Sequence, residues 1–537
     1  MIHIDQIGYA PSKPKFFLSA KEADHFTVVD LATDQPVYTG TLSGPKEDVA
    51  SGDTVYRGDF SSLRDPGSYK IKLSSGETSS PFTIASDVHQ SAADAMLKAF
   101  YFQRCGCDLE PEHAGPYAHK ACHLSDGVLY DDPTTTLPSA GGWHDAGDYG
   151  KYTVAAAKAV ADLLLAYDLF PASFAHPIGI PESGSGMPDL LSEVRYELDW
   201  LQRMQQRDGA VFHKLTTRHF PPLNTMPEDD LGELVFSPVS YTATATFSAV
   251  MAMAARIYEP FDAAFAAACL KLAKLSFDWL TTHESYPSFT NPVGISTGEY
   301  GDRQSIDEAF WASAELYRTT REVTYHDALR KLASVKGFSL LSLGWADVGG
   351  YGTVAYLLSG RAGADDALYE DLLAAWVQEA QRIEACCQED GYSVSLLPEQ
   401  YIWGSMMVLM NQAMHLILAD HFTGQEVFAT RALDHLHYLF GRNPLGQSYV
   451  SGFGERPLMH PHHRPSVADG IDAPVPGLVS GGPNRNLQDP KAKETRSGQP
   501  PARCFIDHED SYATNEITIY WNSPAVFVAA YAVSASQ

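Results

Sequence analysis

The chain has 537 residues, 45% of them apolar and 19% charged, enough to bury a large core and to form more than one domain. Thirty-eight Lys and Arg against 66 Asp and Glu leave a formal charge of −28, a sign that repels phosphate backbones and anionic lipid. No nucleic-acid or membrane-surface role is therefore expected, and no uncharged apolar run reaches the roughly 18 residues of a membrane span.

The start, MIHIDQIGYAPSKPK, lacks the basic-then-apolar pattern of a secretory signal, which makes a cytoplasmic protein the expectation. From there to about residue 85 the chain is rich in short β-type runs, FTVVDL, QPVYTG, TVYRGDF and GSYKIKL. They are separated by turn clusters such as GPKEDVASGD and RDPG. This spacing predicts a small antiparallel sandwich over residues 1–85. From Val88 the pattern becomes helical. Between Pro188 and Gln206, Leu190, Leu191, Val194, Leu198, Leu201 and Met204 fall on one helical face behind a proline entry. YTATATFSAVMAMAARIY, IDEAFWASAELYRTT, ALYEDLLAAWVQEAQRIEACC, MVLMNQAMHLILADHF and EVFATRALDHLHYLFG continue in the same style. Such Ala-rich helices pack on more than one side, and the absence of a fixed repeat favours a closed helical toroid over a solenoid. Gly441–Cys504 breaks the pattern with ten Pro and nine Gly, and its aromatic, Arg and His content marks it as a functional loop region.

Three segments carry candidate chemistry. In GGWHDAGDYGKY, Asp145 and Asp148 sit three residues apart in a Gly-rich turn flanked by Trp143, Tyr149 and Tyr152. Two carboxylates so placed can hold and deprotonate a water, although a solvated Asx-turn has the same spelling. In SYVSGFGERPLMHPHHRPS, His462 and Arg464 lie between prolines and suit recognition of hydroxyls or a carboxylate, or simply a basic surface loop. In FIDHEDSYATNEITIYWNS, Glu516 lies among Tyr512, Tyr520 and Trp521. An acid packed among aromatics tends to keep its proton, while a helix-start glutamate is the plainer alternative.

Taken together, these segments resemble glycoside hydrolase family 9, the inverting cellulase-type hydrolases. Ser448, Val450, Ser451, Gly454, Arg456, Pro461, His462 and Arg464 fit the family's histidine signature. Phe505, Asp507, Tyr512, Glu516, Thr518, Asn522 and Ser523 fit its acidic one. The N-terminal QIGYAPSKPK is similar to the immunoglobulin-like module ahead of one bacterial branch. The resemblance implies a mainly α protein, with an (α/α)6 barrel over residues 86–537 behind an immunoglobulin-like sandwich. It implies Asp148 as general base, Asp145 as its partner in holding water, and Glu516 as general acid. His462, Arg464 and Asp507 would position sugar or catalytic groups, and His213, Tyr300, Trp345, Trp403, Tyr512 and Trp521 would contact it. An acid and a base on separate loops can stand on opposite sides of a glycosidic bond with room for water, as inversion requires.

The spacing of Cys105, Cys122, His123 and His144 is not a zinc-finger pattern, and an odd total of seven cysteines argues against a disulfide framework. The resemblance implies a structural zinc on these four, with Cys107 as a competitor for Cys105. It also implies calcium at Asp307, Glu308 and Asp347, positions that would otherwise serve as helix-start acids. No cofactor is needed for the chemistry itself. The expected substrate is a β-1,4-linked glucan, as soluble chains or cello-oligosaccharides rather than crystalline cellulose, acted on by a monomer. The alternatives are exo-glucosaminidase action on chitosan oligosaccharides, a non-catalytic sugar-binding protein, and a helical toroid for protein–protein contact.

Overall fold

The computed structural model describes residues 1–283 and 286–536. Contacts gather the chain into two compact units, one formed by Met1–Ala99 together with the chain from Ala380 onward, the other by Phe100–Glu379.

The first unit opens with nine strands: β1 (Ile2–His3), β2 (Gly8–Tyr9), β3 (Phe16–Ser19), β4 (Phe26–Asp30), β5 (Pro36–Gly40), β6 (Leu42–Asp48), β7 (Asp53–Asp59), β8 (Gly67–Leu73) and β9 (Phe82–Ile84). They form two sheets, ordered β1-β3-β7-β6 and β2-β9-β8-β4-β5. Strand β8 shows how sequence sets the faces: Tyr69, Ile71 and Leu73 turn inward while Lys70 and Lys72 turn out. The core between the sheets takes Tyr9, Phe17, Phe26, Val28, Phe60, Ile71, Phe82 and Ile84, each worth roughly 1.5–3 kcal/mol of burial. Strand β6 lies in a run expected to be turn. It is an edge strand whose register shifts between Ser43 and Lys46, around Pro45, so it lacks strand alternation.

The sandwich is bonded to the later part of its own unit. Arg503 donates to both Asp53 oxygens at 2.6 and 2.7 Å, Tyr392 Oη donates to Asp53 Oδ2 at 2.7 Å, and Gln6 Nε2 donates to the Gly446 carbonyl at 2.8 Å.

Twelve helices of ten or more residues follow among the described residues: α1 (Gln90–Phe102), α2 (Thr153–Leu169), α3 (Asp189–Arg203), α4 (Tyr241–Tyr258), α5 (Ala263–Thr282), α6 (Ile306–Thr320), α7 (Val323–Ala333), α8 (Gly349–Leu358), α9 (Asp366–Glu389), α10 (Ser405–Thr423), α11 (Glu426–Leu439) and α12 (Ile519–Ser534). In the second unit, α2, α4, α6 and α8 pack in succession and α3, α5 and α7 lie against them. The inner members are apolar or small all round; α4 buries every residue except Tyr241 and Arg256. An outer member such as α5 buries a stripe, Phe265, Cys269, Ala273, Ser276, Phe277 and Leu280. In the first unit α10 packs against α11 and α12, and α12 buries nearly its whole length. Among the described residues no helix is long and apolar enough to cross a membrane.

The proline- and glycine-rich segment contains only short helical turns, yet Tyr449, Val450, Leu458, Leu478 and Val479 are fully or almost fully buried. It is a packed part of the first unit, consistent with the expectation of a structured loop region.

Candidate active site

In the second unit, the GGWHDAGDYGKY turn is locked at both ends. The Cys105 amide donates to the Gly142 carbonyl at 2.8 Å, and the His144 amide donates to the Gln103 carbonyl at 2.7 Å. Acids on α3 hold it from behind: the Trp143 amide donates to Glu197 Oε2 at 2.5 Å and its indole N–H to Glu193 Oε1 at 2.8 Å. Lys151 Nζ donates to the Ser139 and Gly141 carbonyls, each at 2.7 Å. Asp145 and Asp148 are thereby fixed in a buried turn, only 2% and 7% exposed.

The two carboxylates differ in their surroundings. Asp148 Oδ2 accepts the Gly150 amide at 2.9 Å and the Tyr152 hydroxyl at 3.4 Å. The approach is so close that a Cβ at Gly150 would stand 2.8 Å from Asp148 Oδ2, which explains the glycine. Asp145 Oδ2 accepts the Tyr300 hydroxyl at 2.5 Å, while Asp145 Oδ1 is buried with no hydrogen-bond partner among the described residues. Burial first, then the Asp148 charge, push the Asp145 carboxyl well above its usual range; the Tyr300 bond opposes them.

Tyr300 is reached through a supported loop. Its backbone adopts φ +48°, and its ring meets Trp345 edge-on at 4.9 Å and Tyr152 at 4.7 Å. Lys214 Nζ donates to Asn291 Oδ1 at 2.6 Å and to the Gly298 carbonyl at 2.6 Å. Burial lowers Lys214 to about 8 against the pull of Asp148 and Glu299. His213 was expected to touch sugar. It is fully buried, donates from Nε2 to the Glu299 carbonyl at 3.0 Å, bonds Ser240 Oγ at 2.8 Å and stacks on Phe289 at 3.7 Å. It therefore braces the Glu299–Tyr300 loop and offers no open ring face. The expected aromatics Tyr300 and Trp345 are partly exposed.

In the first unit, the other expected residues also come together. Glu516 is partly exposed and ends the short helix Tyr512–Asn515. Its backbone is bridged to His462, whose amide donates to the Asn515 carbonyl at 2.9 Å, and its carbonyl accepts the Gly481 amide at 2.9 Å. His462 Nδ1 bonds the Glu509 carbonyl at 2.5 Å. Asp507 accepts the Met459 and His460 amides, each at 2.8 Å, and Asn515 Nδ2 at 2.9 Å. It thus ties the histidine segment to the acid segment. Arg464 starts a short buried turn beside them. Tyr512 stands 5.5 Å from Trp403 and 5.9 Å from His462, centroid to centroid. Trp403 is 36% exposed, but Trp521 is 3% exposed. The Trp521 indole is wedged so that Cβ atoms at Gly404 and Gly481 would meet it at 2.9 and 2.8 Å. Trp521 is a packing wedge beneath the Trp403 turn.

Two clusters have metal-type donors in the second unit. Cys105, Cys122, His123 and His144, all buried, bring one ligand atom each within 4.8 Å of one another. Sγ of Cys105 is 3.8 Å from His123 Nδ1, and Sγ of Cys122 is 3.8 Å from His144 Nε2. His123 Nε2 faces Asp230 Oδ2 at 3.3 Å. Cys105, rather than Cys107, is the thiol in this cluster.

The second cluster is all oxygen. Among the described residues, Asp302 Oδ2, Asp307 Oδ1 and Glu308 Oε2 are buried without hydrogen-bond partners, and Asp307 Oδ2 accepts the Val348 amide at 2.9 Å. Burial raises all three carboxyls, Asp302 to about 6; the Asp307 charge adds to this at Asp302 and Glu308 and the Asp347 charge at Asp307, which a bond with Glu308 pulls down. Asp347 is exposed and adds its charge to Asp302 and Asp307. Asp302 was not anticipated from sequence: within EYGDRQ it has the look of an ordinary turn acid.

In the second unit, two buried carboxylates in one turn, flanked by Tyr152, Tyr300 and Trp345, are the arrangement a glycoside hydrolase uses to hold water. The comparisons identify the family. The glycosyl hydrolase family 9 pattern matches residues 89–529, and that of the cellulase N-terminal ig-like domain matches residues 1–78. A cellodextrinase of Butyrivibrio fibrisolvens is 37% identical over 541 residues, covering 98% of each chain. A thermostable endoglucanase from Alicyclobacillus acidocaldarius has a structure matching with TM-score 0.93 and 43% identity over 99% of each chain. A zinc-binding triple mutant of the family 9 endoglucanase J30 matches with TM-score 0.91 and 33% identity over 98% of this chain and 99% of that one. The chain belongs to glycosyl hydrolase family 9. It has the family's (α/α)6 helical fold behind an N-terminal β domain, and it hydrolyses β-1,4-glucan linkages.

Proposed function

We propose that the chain is an inverting hydrolase of soluble β-1,4-glucans and cello-oligosaccharides, with Asp148 as general base and Glu516 as general acid. The observation that carries this reading is the state of Asp145. Tyr300 holds one oxygen at 2.5 Å, and the other is buried with no protein partner beside Asp148. Oδ1 of Asp145 and Asp148 together can bind one water, Asp148 taking its proton as the oxygen attacks the anomeric carbon. In this reading Glu516 is the acid that gives its proton to the departing glycosidic oxygen. His462, Asp507 and Arg464 fix the acid's segment, and Tyr300, Trp345, Trp403 and Tyr512 supply flat surfaces for pyranose rings. The cellodextrinase name of the Butyrivibrio relative supports oligosaccharides as substrates.

Cys105, Cys122, His123 and His144 would hold a structural zinc. Two thiolates and two imidazoles are the donor set that ion prefers, and the zinc-binding J30 mutant supports it. Its role is to pin the turn that carries Asp145. Asp302, Asp307 and Glu308, with Asp347 at their rim, would hold calcium, whose hard charge offsets three crowded carboxylates. Neither ion takes part in bond cleavage.

The test is hydrolysis of cellotetraose followed by proton NMR before mutarotation. Newly formed ends should be α-anomers. First-formed β-anomers reject inversion and, with it, the water-holding role of Asp145 and Asp148.

A further inference from the structure

A second set of transition-metal donors is buried in the unit that carries the sandwich. Asp5 lies in the turn between β1 and β2, His89 directly precedes α1, and His437 is in the last turn of α11. Each brings one ligand atom within 4.8 Å of the others. The three are 0%, 4% and 4% exposed.

Their bonding separates the two oxygens of Asp5. Oδ1 accepts the backbone amides of Ile7 at 2.7 Å and Gly8 at 3.0 Å. Oδ2 faces both imidazoles, 2.6 Å from His437 Nδ1 and 3.8 Å from His89 Nε2. His89 Nε2 has no hydrogen-bond partner among the described residues. The backbone anchoring of Oδ1 is the outer support that ligating carboxylates characteristically have. Arg442, whose charge also acts on His437, is already paired with Asp434 at 2.7 Å, so it does not satisfy Asp5.

We propose that Asp5, His89 and His437 form a second transition-metal site, of the zinc class, which staples the β1–β2 turn to the start of α1 and the end of α11. A tetrahedral ion with bonds of about 2.0–2.2 Å holds its ligand atoms roughly 3.3–3.5 Å apart. The separations of 2.6 and 3.8 Å bracket that spacing. Closing the site needs the Asp5–His437 pair to open by roughly 0.7–0.9 Å and the Asp5–His89 pair to close by roughly 0.3–0.5 Å, with the proton between Asp5 and His437 released to solvent. One carboxylate and two imidazoles suit Zn²⁺ or Co²⁺ over Ca²⁺ or Mg²⁺.

The test is a Co²⁺ titration of the full-length protein, stripped with a chelator and kept in excess Ca²⁺ so that the carboxylate cluster does not compete. Two tight equivalents are expected. One shows thiolate-to-cobalt charge transfer from the Cys105/Cys122 cluster, and the other shows only weak ligand-field bands. His89→Gln should remove the second equivalent and keep the charge-transfer band, which also reports that the variant is folded. A single equivalent in the parent protein, or two in His89→Gln, overturns the proposal. Should stripping unfold the protein, elemental analysis after growth with zinc gives the same answer. His89→Gln then carries one zinc fewer per chain, and equal contents reject the site.

Discussion

The Tyr300 hydroxyl donates to Asp145 Oδ2 at 2.5 Å, across 155 residues of sequence, from a loop that Lys214 and His213 hold in place. The bond does two things at once. It favours the ionised form of a carboxyl that burial and Asp148 push toward neutrality, and it fixes which oxygen remains for water. Tyr300→Phe keeps the ring between Tyr152 and Trp345 and removes only the donor. A hydrogen bond to a charged group is worth about 1.5–3 kcal/mol, so kcat should fall roughly 10–150-fold with little change in KM. Steady-state kinetics on cellotetraose checks this; an unaltered kcat means that Asp145 does not depend on Tyr300.

His213 gives a pH-dependent stability term. Burial lowers it from 6.5 to about 3, so the folded protein keeps it neutral where the unfolded chain takes up a proton. Its contribution is fully present above pH 6.5 and is lost as pH falls through about 3. Urea unfolding between these limits should show stability declining with acid by up to about 1.4 kcal/mol per pH unit more in the parent than in His213→Gln. Parallel curves for the two proteins would show that His213 is not buried neutral.

The limits of the sequence are visible in the same residues. Local signals carried far: α4 and α6 occupy the runs YTATATFSAVMAMAARIY and IDEAFWASAELYRTT from end to end, because inner helices announce themselves by continuous apolar and small residues. The DAGD turn was also legible, whereas the Cys/His set, whose spacing matches no zinc pattern, came only through the family resemblance. Side-chain direction was not legible. His213 sits in a stretch, Val211–Thr216, buried on both faces, so no alternation shows which way its ring points. Trp521 looks like a sugar platform until Gly404 and Gly481 are seen against its faces. The facing of Asp230 and His123 and the bond between Tyr300 and Asp145 depend on pairings far apart in the chain. An isolated acid or tyrosine in one sequence carries no mark of such a partner.

The oxygen cluster predicts a calcium response. With calcium in the proposed site, a chelator would leave Asp302, Asp307 and Glu308 as uncompensated buried acids and should lower the thermal midpoint by several degrees, and added Ca²⁺ should restore it. Asp302→Asn should abolish most of that response. Thermal unfolding with and without chelator decides; an equal calcium response in the variant excludes Asp302 as a ligand.

Asp230 should tune the Cys/His site without ligating. Its carboxylate faces His123 Nε2 at 3.3 Å, and loss of such an outer partner typically weakens metal affinity about 10–100-fold. Asp230→Asn is expected to release zinc to a chromogenic chelator that much more readily. Identical release from both proteins would mean that the His123 ring is oriented without Asp230.

The division of labour between Asp148 and Glu516 is tested most directly by changing the leaving group. Glu516→Gln and Asp148→Asn are compared on cellotetraose and on a dinitrophenyl cellobioside, whose phenolate departs without protonation. Glu516→Gln should lose the tetraose by orders of magnitude yet retain much of the activated substrate, whereas Asp148→Asn should lose both. Equal losses on the two substrates in Glu516→Gln, or rescue of Asp148→Asn by the activated one, would contradict the assignment of acid and base.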